Sequence, residues 1–69
     1  MPIIPTLKPK DVIKILTRQG FEFIRQKGSH RIYIKDNKTV IVPYHNNDLR
    51  KGTLSSIIKQ SGIDLKLFK

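Results

Sequence analysis

The 69 residues contain no cysteine and no tryptophan. Without cysteine there is no disulfide framework and no thiolate metal site, and nothing implies an extracellular setting. No apolar stretch approaches the roughly 20 residues of a membrane-spanning helix. The opening, "MPIIPTLKPK", carries three prolines and a single apolar pair, too short for the core of a signal peptide. These absences lead to the expectation of a soluble, cytoplasmic protein. Acidic residues are scarce as well. Five Asp and Glu face fourteen Lys and Arg, for a net charge of +9 and a pI near 10.3. On so small a chain that charge repels itself, which points to a polyanion or an acidic partner. Nucleic acid leads. A membrane surface fits less well, because the cations are spread along the chain and not gathered on one helix face. Solubility alone is met by a net charge of about 2 to 8. There is no repeat, low-complexity tract or linker, so residues 1–69 read as one domain. A chain of this size buries only about 60% of its unfolded surface, and its core is small.

What is present reads as five elements. "LKPKDVIKILTRQG" is a helix: Pro9 suits its first turn, Asp11 sits near the positive end of the dipole, and Gly20 suits the stop. Val12, Ile13, Ile15 and Leu16 form its apolar stripe. "FEFIRQK" switches to period two, with Phe21 and Phe23 on one face. "GS" is a tight turn, "HRIYIK" a second strand, "DNK" a second turn, and "TVIVP" a third strand ended by Pro43. A polar loop, "YHNNDLRK", leads to a second helix over about residues 51–61, with Leu54, Ile57, Ile58 and Ser61 on one stripe and Gly62 at its C-terminus. "IDLKLF" adds a short turn capped by Asp64, with Leu65 and Phe68 folding back on the core. The expected fold is α+β: a two-layer sandwich of order α-β-β-β-α, with both helices on one face of a three-stranded antiparallel sheet. The other sheet face, or one rim, is left open for binding.

The stretch "RQKGSHRIYIK" raises the question of chemistry. Ser29 beside His30 is no catalytic pair, since adjacent strand residues point to opposite faces. His45 and Asp48 lack a third metal ligand. "RKGT" lacks the glycine-rich approach of a phosphate loop. What remains is His30 among Arg25, Lys27 and Arg31, with Tyr33 nearby. A neutral imidazole takes the proton from a ribose 2′-hydroxyl, and cations stabilise the charge that develops on the phosphate. Such chemistry needs no metal and selects RNA over DNA. From the residues alone, packing, anion contact and proton transfer all stay open for His30. Alternation places it with Ile32 and Ile34. If that face is the core, His30 sits at an uncovered rim, or the Gly28-Ser29 turn breaks the alternation.

"GFEFIRQKGSHRIY", followed by "VPYHNNDLRKGTLSSIIKQSGI", closely resembles the HicA (YcfA-like) toxins of toxin–antitoxin systems. The similarity runs from about Leu7 to Ile63. It rests on Gly-Phe after the first helix, Gly-Ser-His opening the second strand, Val-Pro closing the third, and Lys-Gly-Thr-Leu leading into the second helix. The resemblance implies a double-stranded-RNA-binding-like fold and ribosome-independent mRNA cleavage. It also implies a catalytic role for His30 within Gly28-Ser29-His30, and a HicB antitoxin as the partner that covers the site. Tyr44 and Asn46-Asn47 depart from the family pattern, where a smaller residue and a glycine-containing turn are common.

The reading is therefore a metal-independent endoribonuclease toxin with no cofactor. His30 is the catalytic residue, and Gly28 and Ser29 shape the site. Arg25, Lys27, Arg31 and Lys35 are candidate contacts to the RNA backbone. Lys51 and Gly52, where the second helix begins, are candidates for holding a phosphate on backbone N–H groups; Gly52 equally fits a merely conformational role. Tyr33 and Tyr44 are candidates for base stacking, though a half-buried tyrosine has an ordinary packing role too. Two rivals use the same basic surface: a non-catalytic RNA-binding module, and an interaction protein for an acidic partner.

Overall fold

The structure, a computed structural model, describes residues 6–68. The proline-bearing start that was read for a leader, residues 1–5, lies outside the described residues. The element order is α1 (Pro9–Arg18), β1 (Glu22–Lys27), β2 (His30–Lys35), β3 (Lys38–Pro43), α2 (Lys51–Ser61) and a 3₁₀ turn at Leu65–Leu67. This is the expected α-β-β-β-α sandwich. Among the described residues no helix is long and apolar enough to cross a membrane.

Both ends of α1 and the end of α2 have local causes. Pro9 opens α1 where its missing N–H costs nothing. The Asp11 carboxylate accepts from the Lys8 N–H at 3.1 Å, satisfying a donor the helix cannot. At the other end Gly20, at φ +96°, reverses the chain. The Gly20 N–H then donates to the Thr17 carbonyl and the Phe21 N–H to the Leu16 carbonyl, at 3.1 and 3.0 Å. That pair of bonds is a Schellman closure. It delivers Phe21 to the core beside Leu16, so the helix stop also starts the sheet. Helix α2 ends on Gly62 at φ +68°. The Asp64 side chain accepts from the Lys66 N–H at 3.0 Å and turns the chain so that Phe68 is fully buried. Burial of such a ring contributes about 1.5–3 kcal/mol, a large share for a domain this small.

The sheet is an antiparallel meander in the order β1-β2-β3. Tyr33, Val40 and Val42 project from one face and meet Val12, Ile15 and Leu16 of α1 and Leu54 and Ile57 of α2. Both helices therefore cover the same face. The opposite face carries His30, Ile32, Ile34 and Ile41. It has no helix over it, and Ile41 is 46% exposed. This resolves the doubt over His30 against both alternatives: alternation holds through β2, and the Ile32–Ile34 face is the open one.

Strand β1 departs from simple alternation. Phe23 pairs with Tyr33 and Arg25 with Ile32, which leaves Ile24 as an extra, bulged residue. Phe21 and Phe23 both belong to the helix side, yet Phe21 is buried while Phe23, on the edge strand, is 52% exposed.

Candidate functional site

His30 is the first residue of β2 and is exposed. Its neighbour across the sheet is Lys27 on one side and Pro43 on the other. Directly opposed residues share a face with their Cβ atoms about 4.5–5.5 Å apart. His30, Lys27, Ile32 and Ile41 line an open hollow of about 300 Å³ with an apolar floor. Arg25, opposite Ile32, stands on this same face. The structure thus gathers His30, Lys27 and Arg25 on the uncovered side of the sheet.

The turn before His30 is held from three directions. Gly28, at φ +61°, is the only turn residue with positive φ, the sign pattern of a two-residue II′ hairpin. The Gln26 side-chain amide donates to the Gly28 carbonyl at 2.9 Å. The Tyr44 N–H donates to the Ser29 carbonyl. Gly28 and Ser29 therefore act through their backbones, presenting His30 at a fixed point.

Arg31 completes this brace. Its Nε donates to Gln26 Oε1 at 3.1 Å. Its guanidinium lies 3.8 Å over the Tyr44 ring and 5.8 Å from the Phe23 centroid. Phe23 in turn meets Tyr33 edge-on, with centroids 5.6 Å apart. Arg31 lies on the helix-side face, opposite Gln26 and away from His30, with its Nε bonded and one face of its guanidinium on Tyr44, so it stands outside the hollow. Sequence reading passed over Gln26, which shows its role only once the bulge places it opposite Arg31.

Three other candidates are also moved. Lys35 ends β2, five residues from His30, a separation of about 17 Å along a strand. Its chain runs beside Gly20, so it is no neighbour of the hollow. Tyr33 is 2% exposed, so no base can stack on it. Tyr44 is 39% exposed, but Arg31 covers one side of its ring. Lys51 and Gly52 begin α2 as expected, after an N-cap residue, Arg50, whose side chain makes no capping bond. A Cβ on Gly52 would meet nothing within 4 Å, so its lack of a side chain is not forced by packing. Among the described residues no three His, Cys, Asp or Glu side chains converge.

The hollow is thus a solvent-facing histidine with cations beside it on a rigid strand end, an arrangement suited to proton transfer near a phosphate. A comparison with curated protein sequences returned no match. The family model described as HicA toxin of bacterial toxin–antitoxin matches residues 9–63, from the first residue of α1 to just past the close of α2. That span includes both helices, the whole sheet and the His30 hollow. The chain belongs to the HicA toxin family, ribonuclease-type toxins of toxin–antitoxin systems.

Proposed function

We propose that this chain is a metal-independent endoribonuclease that cuts mRNA with His30 as general base. The observation that carries the reading is the position of His30: exposed on the open sheet face, opposite Lys27, at the end of a braced turn. The neutral imidazole removes the proton of a ribose 2′-hydroxyl. The 2′-oxygen attacks the adjacent phosphorus, the bond to the 5′-oxygen breaks, and that oxygen takes up a proton from solvent. The products are a 2′,3′-cyclic phosphate and a 5′-hydroxyl. Lys27 and Arg25 offset the charge that develops on the phosphate, and Lys51 with Gly52 holds a phosphate farther along the strand. A HicB-type antitoxin is the neutralising partner. The half-exposed Ile24 and Ile41 on the His30 face give such a partner apolar surface to cover.

The test uses wild type and His30→Ala, both shown to be folded by circular dichroism, with end-labelled RNA and matching DNA in excess EDTA. Wild type is expected to cut only RNA and to leave cyclic phosphate ends. The variant is expected to lose about 10²–10⁴-fold in rate, the range for removal of a general base. Equal cleavage by both proteins removes His30 from the mechanism. Equal RNA binding with no cleavage by either leaves a binding module.

A further inference from the structure

A second basic pocket lies at the same end of the sheet as His30. Lys8 and Lys10, at the start of α1, and Tyr44, His45 and Asn46, after β3, line a cavity of about 200 Å³. The two segments are far apart in sequence and are pinned together: the Leu49 N–H donates to the Leu7 carbonyl at 2.8 Å, and both leucines are buried. The loop wall is ordered from within, because the Asn47 N–H donates to His45 Nδ1 at 3.2 Å. With Nδ1 accepting, the proton of the neutral ring sits on Nε2, which makes that nitrogen a donor. Two ammonium groups, an imidazole N–H and an amide are a donor set for an anion, and an aromatic ring stands beside them. Among the described residues no acidic side chain lines the cavity.

Its position ties it to the hollow. Tyr44 follows Pro43, the cross-strand neighbour of His30, and its N–H bonds the Ser29 carbonyl. The pocket therefore begins one residue beyond the strand pair that presents His30. We infer that this pocket binds a backbone phosphate of the RNA, one flanking the phosphate at His30, with the free side of the Tyr44 ring available to the adjoining base. The inference rests on RNA being the substrate, and it does not require His30 to be catalytic. A polyanion that bends round the end of the sheet meets Lys27 and Arg25 on one side and Lys8 and Lys10 on the other. A protein partner's carboxylates would meet the same donors. The proximity to the hollow and the aromatic ring beside the cations favour a nucleic-acid strand.

The probe is a ten-residue 2′-O-methyl RNA, which cannot be cut by 2′-hydroxyl attack, so binding is read whether or not the protein is a nuclease. Its affinity is measured from 50 to 300 mM NaCl for wild type and for two charge-matched variants. Lys8→Ala/Lys10→Ala empties the pocket of its lysines. Lys59→Ala/Lys66→Ala removes two exposed lysines at the far end of α2 and in the C-terminal turn. The pocket variant is expected to bind about tenfold more weakly. Its slope of log K against log salt is expected to fall by about 0.7, the loss of one single-strand phosphate contact. The control pair is expected to keep the wild-type slope. Equal losses in both variants mean a diffuse field and no site. An unchanged pocket variant means the cavity does not take RNA and leaves it to an acidic protein partner. Either result overturns the inference.

Discussion

By charge and place Arg31 reads as a phosphate contact, and its guanidinium instead bridges Gln26 and Tyr44 on the helix side of the sheet. The bonds from Arg31 to Gln26 and from Gln26 to the Gly28 carbonyl link Arg31 to the turn before His30, and a positioning role there is the prediction tested next. Lysine in its place keeps the charge and loses both the Nε bond and the flat stack, so Arg31→Lys isolates the geometry from the electrostatics. Removing one side-chain hydrogen bond and a cation–π contact costs roughly 1–2 kcal/mol. We expect kcat on RNA to fall about tenfold, with KM and the salt slope of binding near wild type. A rise in KM at constant kcat would return Arg31 to the RNA surface. Lys27→Ala should lower kcat through the lost offset of the developing charge and, unlike Arg31→Lys, also weaken binding and reduce its salt dependence. At this scale the sequence reading was uneven. Arg25 and Lys27 share a face, since alternation preserves spacings of two, but that His30 shares it follows from the cross-strand register that the bulge at Ile24 sets. Gln26 was invisible, because a glutamine between two cations has no signature until its cross-strand partner is known. Tyr33 takes the packing role left open for it, because the helices dock on its face of β2, and Lys35 lies outside the hollow by its distance along the strand.

The elements themselves were legible, because each is closed by a residue with one cheap explanation. Pro9, Gly20, the Gly28-Ser29 turn, Pro43 and Gly62 fall at the observed boundaries. Gly52 is the exception that tests function. It stands in the first turn of α2 with open space around it, so alanine fits without strain. Alanine is also the better helix former by about 0.5–1 kcal/mol. Gly52→Ala should raise the midpoint of urea unfolding. If a phosphate approaches that backbone closely, the same change should weaken RNA binding, an opposite shift that a conformational role alone does not produce. A variant that is both more stable and unchanged in RNA affinity would remove the start of α2 from the binding surface. The bulge at Ile24 was the one feature of element scale that sequence did not disclose. "FEFIRQK" shows period two at its start and then a run of polar residues, and a run of polar residues carries no phase.

For the whole molecule, the net charge of +9 sets two responses to salt of opposite sign. Screening relieves repulsion within the folded chain, so thermal stability should rise between 10 and 150 mM NaCl, where the Debye length shrinks from about 30 to about 8 Å. Over the same interval RNA affinity should fall, as released counterions lose their entropic advantage. Differential scanning fluorimetry and fluorescence anisotropy on one salt series read both. Stability that falls with salt would show that the cations are already balanced within the fold and are not held in reserve for a polyanion. The charge also has a side. Counted from Phe21 with Ile24 as an ordinary strand residue and no bulge, alternation would aim Arg25 and Lys27 at the helices and put Gln26 beside His30. The single bulged residue acts as a parity switch for the rest of β1. Deleting Ile24 would leave Arg25 and Lys27 on the open face in their present pairing, whereas inserting one residue between Arg25 and Lys27 would exchange the two faces beyond that point. The strand tolerates loss at one address and not gain at the next, and this asymmetry is the record such a switch would leave in any set of length variants of this chain.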